Sequence, residues 1–262
     1  MNKTSSYTLT VIVPVYNESE NMARLEQTFR DYTAKASVPV CVLFVNDGST
    51  DDGGAKIKDI CARNEHFYYL SFVRNAGLSA AIKAGIDYAC SPLVGYIDAD
   101  LQTTPEDFEV LLPYTSEFAL VTGIRANRKD TGFKRFQSKF ANGFRRMMTH
   151  DDATDTGCPL KILHSDAAKR IPFFKGMHRF LPALIRLQEG KNYKEIAVRH
   201  FPRTAGLSKF NLWNRLIAPL VDCFAYGWMK SRYINYTVGE KYDTLLSGFE
   251  ITIKAQDFAK VG

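Results

Sequence analysis

Cysteine is scarce and shows no pairing pattern. The chain of 262 residues carries five, Cys41, Cys61, Cys90, Cys158 and Cys223. The number is odd, and no two stand at zinc-ligand or redox spacing. This excludes a disulfide scaffold, and reduced thiols in a cytosolic protein are expected. Long apolar runs are missing as well. The longest, Leu216–Met229, contains Pro219 and Asp222. It falls short of the roughly 20 residues a membrane-spanning helix needs. Met1–Tyr7 is polar and runs straight into a strand pattern, so no secretory leader is expected. Repeats, low-complexity tracts and obvious linkers are also missing, which argues against solenoids and disordered tails.

What remains is an ordinary globular composition, 45% hydrophobic and 24% charged, sufficient for a substantial core. The length suits one large α/β domain with an elaborated C-terminal part. Charge is divided unevenly. Residues 1–124 hold 9 Lys and Arg against 16 Asp and Glu, a net −7, and residues 125–262 hold 25 against 12, a net +13. An acidic half followed by a basic half suggests two ligands of different kind. The basic half suits nucleic acid, an anionic membrane surface or a phosphorylated substrate, or is simply a solvated surface.

Strand patterns recur at Leu9–Val15, Val40–Val45, Phe67–Phe72, Leu93–Ile97 and Leu120–Thr122. Helical patterns fill the gaps at Glu18–Ala36, Gly54–Arg63, Leu78–Ala89 and Pro105–Leu112. This alternation predicts an α/β fold with a mostly parallel sheet flanked by helices. Leu9–Val15 is nearly all apolar, as expected of a strand covered on both faces. The second half predicts a helix near Lys134–Met148, a strand near Pro159–Leu163 and a helix near Phe180–Glu189. A strand near Ile196–His200 and a long helix from about Asn211 follow. In that last helix Trp213, Leu216, Ile217, Leu220, Val221, Phe224 and Trp228 trace one face, flanked by Arg215, Lys230 and Arg232. Two readings stand: a helix lying on a bilayer, or a core-facing amphipathic helix.

The chemistry concentrates where predicted strands end, as ligand sites do in open α/β sheets. Asp98-Ala-Asp100-Leu-Gln102 follows Leu93–Ile97. In an extended segment the two carboxylates point the same way, and Gln102 adds an amide oxygen. These hard oxygen ligands suit Mg²⁺ or Mn²⁺ bridging to a diphosphate. The first strand runs into Tyr16-Asn17-Glu18, an aromatic and a carboxylate able to stack on and bind a base. The second runs into Asn46-Asp47-Gly48-Ser49-Thr50-Asp51, where Asp47 can accept from a nucleoside and Gly48 permits close backbone approach. Capping of the next helix by Ser49, Thr50 or Asp51 is the simpler reading of the same loop. Arg74-Asn75-Ala76-Gly77 opens another helix, whose N-terminal amides suit an anion. Residues 125–146 hold eight Lys or Arg and one acid, with Phe133, Phe136, Phe140 and Phe144 on one helical face. Basic residues beside apolar ones suit a phosphate on a long hydrocarbon, and the regular phenylalanine spacing disfavours base stacking.

In order and spacing, Pro14-Val-Tyr16-Asn17-Glu18, Asn46-Asp47-Gly48-Ser49, Gly77-Leu-Ser-Ala-Ala and Asp98-Ala-Asp100-Leu-Gln102 resemble the family 2 inverting glycosyltransferases of GT-A fold. The second half narrows the resemblance to the polyprenyl-phosphate, dolichol-phosphate mannose synthase-like subgroup. It rests on Arg125, Arg135-Phe-Gln-Ser138, Asp155-Thr-Gly-Cys-Pro-Leu-Lys161, His178-Arg179-Phe180 and His200–Lys209. The resemblance covers about residues 8–232. It departs at Asn46, where the family often has Asp, and in the C-terminal transmembrane helices of many members, which have no counterpart here. It implies a transferase domain over 1–210, with 1–124 as nucleotide-sugar and metal half and 125–210 as acceptor half. Residues 211–262 would form an amphipathic helix and tail.

The resemblance also implies roles. Pro14, Tyr16, Glu18, Asn46, Asp47 and Gly77 fall on the nucleotide. Asp98, Asp100 and Gln102 fall on Mg²⁺ or Mn²⁺ and the donor diphosphate. Arg125, Arg135 and Ser138 fall on the acceptor phosphate, while Arg203 and Lys209 lie on a loop closing over the donor. Asp155 is the one candidate base, or else orients Lys161 or an acceptor-site arginine. The implied reaction moves a hexose from a UDP- or GDP-sugar to a polyprenyl phosphate. An acceptor phosphate is already ionised and needs little help from a base. The expected partners are the nucleotide sugar, the polyprenyl phosphate and a membrane surface at the cytoplasmic face. The sequence also admits a membrane-protein partner or a second copy of the chain, and nucleic acid is not expected. The rivals are a saccharide or protein acceptor, which would require a base near its hydroxyl, and a non-catalytic nucleotide-sugar or lipid-binding protein.

Overall fold

The computed structural model describes residues 6–125, 143–201 and 218–235. Seven strands form one sheet: β1 (Leu9–Val15), β2 (Val40–Asn46), β3 (Phe67–Ser71), β4 (Leu93–Tyr96), β5 (Leu120–Arg125), β6 (Lys161–His164) and β7 (Tyr193–Val198). Their order is β3-β2-β1-β4-β6-β5-β7. Only β6 runs antiparallel to its neighbours β4 and β5. The strand expected near Ile196–His200 begins and ends earlier, as β7. The sheet is therefore mostly parallel, as the alternating pattern predicts.

Every residue of β1 is buried because both faces are covered. Leu9, Val11, Val13 and Val15 point to one side, into a core built with α1 (Met22–Lys35) and α2 (Gly53–Arg63). Ile12 points to the other, against Ile82 and Ile86 of α3 (Leu78–Tyr88). The period of two in a strand makes that division. The helix expected over Pro105–Leu112 is broken into a 3-10 turn Pro105–Asp107, a short α4 (Phe108–Leu111) and a second 3-10 turn Leu112–Ser116. Pro113 lacks the N–H that would continue an α-helical ladder.

β1 lies between β2 and β4, so the connections leave it in opposite directions. That is the topological switch point, where the loops after β1 and β4 separate to form a crevice.

The helix Ala218–Ser231 resolves the two readings of its pattern differently for different residues. Cys223, Tyr226 and Met229 are the buried stripe, with the Tyr226 ring stacked on Phe180 at 5.9 Å. Val221, Phe224 and Trp228, expected on one apolar face, are 59%, 63% and 66% exposed. The helix is apolar on both sides, and on the second face Phe224 meets the Phe144 ring at 6.0 Å while staying largely exposed. Trp213, Leu216 and Ile217 lie outside the described residues, as do Phe133, Phe136 and Phe140. No helix of the described residues is long and apolar enough to cross a membrane.

Candidate active site

The carboxyl ends of β1, β2 and β4 converge at the switch point. After Pro14 and Val15 at the end of β1, Asn17 adopts a left-handed φ of 52°. Its N–H donates to Ser49 Oγ at 3.0 Å, and its Oδ1 accepts from the Thr50 N–H at 2.8 Å. The Ser19 N–H donates to Asp51 Oδ2 at 3.0 Å, and Asn21 Nδ2 donates to Glu18 Oε2 at 2.7 Å. Ser49, Thr50 and Asp51 therefore lace two strand-tip loops together. The helix-capping reading holds for Asp51 alone: its Oδ1 accepts from the N–H of Gly53, the first residue of α2, at 3.0 Å, while the N-cap residue Asp52 makes no side-chain cap bond.

Asn46 and Asp47 are both buried and both engaged by the protein. Asn46 Oδ1 accepts from the Ser49 N–H at 3.0 Å, and its Nδ2 donates to Ser71 Oγ on β3 at 3.0 Å. Asp47 Oδ1 accepts from the N–H groups of Ala76 at 2.7 Å and Gly77 at 3.2 Å. Its Oδ2 accepts from Gly77 N–H at 2.9 Å and Asn75 Nδ2 at 2.8 Å. A carboxylate offers about four lone-pair sites, and the loop 75–77 takes four bonds. Gly48, with φ +65°, lets that loop come this close: a Cβ there would overlap the backbone of Arg74 and Asn75. The close approach expected at Gly48 is thus made by protein backbone. Gly77, φ +93°, then opens α3.

β4 ends at Tyr96, so Asp98 and Asp100 do not sit in an extended segment. This corrects the alternation argument. A turn brings the carboxylates together, closed by buried Leu101 at a left-handed φ of 51°. Burial of the Leu101 side chain in the core offsets the cost of that conformation. Gln102 N–H donates to Asp100 Oδ1 at 3.1 Å, and Tyr96 Oη donates to Asp98 Oδ1 at 2.7 Å. Burial pushes the Asp98 carboxyl up to about 6, and the Asp100 charge adds to it, against the Tyr96 hydrogen bond, Lys161 and Arg125.

Arg125 ends β5 with its guanidinium forked on Asp155, Nε to Oδ2 at 2.8 Å and Nη2 to Oδ1 at 2.7 Å. The Arg125 N–H adds a third bond to Oδ2 at 3.1 Å. Burial works against charge on Asp155, but the Arg125 fork outweighs it and lowers its pKa. Lys161, on β6 opposite Tyr96, is 1% exposed and donates to the Cys158 carbonyl. Burial lowers its pKa, opposed by Cys158, Asp155 and Asp98. Nearby, Ser79 Oγ lies 2.8 Å from His178 Nδ1 and accepts from the Gly176 N–H at 3.1 Å. Burial pushes His178 down to about 3, with Arg179 and Lys161 adding to it, so the ring is neutral at neutral pH.

The end of β7 is fastened to the same turn. Arg199 Nε donates to Asp107 Oδ1 at 2.7 Å, and the Phe201 N–H donates to the Gln102 carbonyl at 2.8 Å. Arg135, Ser138, Arg203 and Lys209 lie outside the described residues. Among expected site residues the structure therefore gathers Asp98, Asp100, Arg125 and Asp155 around Tyr96 and Lys161. Tyr96 had looked like one more apolar strand residue. Its signal in the sequence was a tyrosine two residues before the first carboxylate.

The donor set suits a divalent hard cation. Asp100 raises the pKa of Asp98, a like-charge penalty that a dication would remove. No group of three or more His, Cys, Asp and Glu converges among the described residues. The protein would thus contribute Asp98, Asp100 and Gln102, and diphosphate and water the rest, as is usual for Mg²⁺.

Solved structures share this open, mostly parallel sheet. Glucosyl-3-phosphoglycerate synthase from Mycobacterium tuberculosis, in complex with Mn²⁺, UDP-glucose and phosphoglyceric acid, superposes with a TM-score of 0.62 at 14% identity, over 85% of this chain and 81% of that one. A mannosyltransferase from Pyrobaculum calidifontis, in complex with GDP-Man and Mn²⁺, gives 0.62 at 17% identity, over 85% and 64%. Residues 10–172 match the model of glycosyl transferase family 2, and the chain belongs to that family. It is 31% identical over 236 residues to a dodecaprenyl-phosphate galacturonate synthase of Rhizobium johnstonii, covering 87% of this chain and 69% of that protein. It is also 31% identical over 219 residues to an undecaprenyl-phosphate 4-deoxy-4-formamido-L-arabinose transferase of Pectobacterium atrosepticum, covering 82% and 67%.

Proposed function

We propose that this glycosyltransferase moves a sugar from a UDP- or GDP-sugar to a polyprenyl phosphate, inverting the anomeric carbon. The observation that carries the reading is Arg125, whose guanidinium is held rigid by Asp155 beside the Asp98 turn. A preoriented fork suits a phosphate oxyanion better than a neutral hydroxyl. Relatives named for dodecaprenyl- and undecaprenyl-phosphate substrates support the same acceptor.

Tyr16, Glu18 and the loops braced by Asn46 and Asp47 take the nucleoside, with Pro14 and Gly77 shaping the pocket. Asp47 acts as a positioning residue, since its oxygens are spent on loop 75–77. Asp98, Asp100 and Gln102 would hold Mg²⁺ or Mn²⁺, which would supply positive charge to a departing diphosphate. An oxygen of the acceptor phosphate, held by Arg125 with Arg135 and Ser138, attacks the anomeric carbon. The bond to the diphosphate oxygen breaks on the opposite face, and the nucleoside diphosphate leaves with the electron pair. No proton needs removing. Asp155 therefore positions Arg125 and is not a base. Arg203 and Lys209 would add positive charge at the leaving group.

The test is release of nucleoside diphosphate from a panel of UDP- and GDP-sugars, with Mg²⁺ or Mn²⁺, with and without a short polyprenyl phosphate. Lipid-dependent release abolished by EDTA supports the reading. Lipid-independent release, or release only with a saccharide acceptor, overturns it.

A lipid-borne acceptor places the enzyme at a membrane surface. Val221, Phe224 and Trp228 form the face that would enter it, with Arg232 5.9 Å from the Trp228 ring. Phe224→Glu/Trp228→Glu should abolish co-sedimentation with anionic phospholipid vesicles, leaving the melting temperature unchanged. Equal sedimentation of variant and parent would remove this face from the account.

A further inference from the structure

Arg125 has an open edge, and one residue keeps it open. A guanidinium carries five N–H donors. Asp155 takes two of them, one from Nε and one from Nη2, which leaves three. Nη1 makes no hydrogen bond to another described residue. Beside Nη2 lies Gly157, itself exposed. A Cβ on Gly157 would come within 3.0 Å of Arg125 Nη2 and 3.7 Å of Asp155 Oδ1. The φ of Gly157 is not in the left-handed region, so the backbone does not require glycine there. What the glycine supplies is room beside the guanidinium.

The turn that carries Gly157 is held at several points. The Cys158 N–H donates to the Asp155 carbonyl at 3.3 Å, closing a turn over residues 155–158. Glu195 of β7 accepts from the N–H groups of Thr154 at 2.9 Å and Asp155 at 3.2 Å. From the buried side Lys161 donates to the Cys158 carbonyl, with its Nζ 3.5 Å from the Thr156 carbonyl. An ammonium is costly to bury, and Lys161 forms no ion pair with a described residue. Its bonds go to the turn.

Strand register fixes where this turn stands. Lys161 pairs with Tyr96 of β4 and with Thr122 of β5. Asp98 follows Tyr96 by two residues, and Arg125 follows Thr122 by three. β4 and β5 are both antiparallel to β6, so they end at the same edge of the sheet, and the turn enters β6 between them. Resting on the acceptor reading above, we propose that the turn Asp155–Cys158 shapes the acceptor-phosphate site. Gly157 is the specificity-determining residue that admits a phosphate to the free N–H groups of Arg125, and Lys161 is the positioning residue that holds the turn from within the sheet. A terminal phosphate presents bare oxygens, and the remaining N–H groups of a preoriented guanidinium match them.

Gly157→Ala, Gly157→Val, Lys161→Met and Lys161→Arg test this. The readouts are KM and kcat for a short polyprenyl phosphate, calorimetric binding of dodecyl phosphate, affinity for UDP or GDP with Mn²⁺, and melting temperature. Loss of a charge-assisted hydrogen bond is enough for Gly157→Val to raise KM about tenfold or more. Dodecyl phosphate affinity should fall in parallel, and Gly157→Ala should show a smaller loss of both. Nucleotide affinity should hold, and so should the melting temperature, because Gly157 is exposed. Lys161→Met should raise KM as well, and Lys161→Arg, which keeps the N–H donors, should recover part of that loss. Unchanged KM and dodecyl phosphate binding in Gly157→Val overturn the proposal, as does an equal loss of nucleotide affinity. A Lys161→Met variant that melts lower yet keeps the parent's KM overturns the positioning role. Should the parent transfer nothing to polyprenyl phosphate, the acceptor reading fails, and the dodecyl phosphate arm decides the turn by itself. Binding by the parent that Gly157→Val loses then supports the phosphate site, and equal binding by both overturns it.

Discussion

Asp100→Asn should lower turnover at saturating Mn²⁺ by about a thousandfold, because charge on the leaving diphosphate is then poorly neutralised. Asp100 is the better of the two carboxylates to change. Asp98 also accepts from Tyr96 in a buried place, so altering it disturbs a second group. At Asp100 the Asn Oδ1 can still accept from the Gln102 N–H, so the turn survives. The loss should appear as weaker Mn²⁺-dependent affinity for the nucleoside diphosphate and slower sugar transfer, with the melting temperature unmoved. Full turnover by this variant in the presence of metal would remove Asp98, Asp100 and Gln102 from the metal assignment.

The second large effect is on stability. Arg145 and Asp151 form a buried clasp, with side chains 7% and 1% exposed. Arg145 Nη1 donates to both Asp151 oxygens, and Nη2 donates to the Ala153 carbonyl at 2.6 Å. Thr149 Oγ1 and the Ala153 N–H also donate to Asp151, at 2.8 and 3.0 Å. Asp151→Ala strands a buried guanidinium, a change that costs about 3–5 kcal/mol. For a chain of this size that is a fall in melting temperature on the order of 10 °C. Replacing both partners, Arg145→Met with Asp151→Leu, should be less damaging, since no charge is left unpaired. Calorimetric scans of the single and double variants check this. A single variant that melts with the parent would show that the clasp does not hold the region. The clasp joins the helical residues 143–149 to the loop leading to Asp155, so the single variant should also impair acceptor use.

The strands were legible in the sequence because burial on both faces demands continuous apolar runs, and β1 is the plainest case. A strand tip followed by Asp98, Asp100 and Gln102 is by itself a weak signal, and it was legible only together with the other motifs in order and spacing. Local pattern did not reveal what the polar groups do with one another. Ser49 looked like a helix cap and instead binds the β1 loop, 32 residues away in sequence, while Asp51 binds that loop as well as the first N–H of α2. Asp47 looked like a ligand residue, and its oxygens also accept from three donors of residues 75–77.

The sequence by itself determined the α/β alternation, the two-sided core and the acidic and basic halves. These follow from hydrophobic period and residue chemistry, which act locally along the chain. Tertiary structure alone decided that β6 would enter between β4 and β5, bringing Lys161 opposite Tyr96. It also decided that Asp155 would fork Arg125 and that Asp222 would face Arg179. It left Phe224 and Trp228 exposed and buried Tyr226. Each of these contacts joins residues 30 or more positions apart, or selects one of two equally apolar helix faces. Hydrogen-bond geometry and packing then choose among partners that local sequence leaves equivalent.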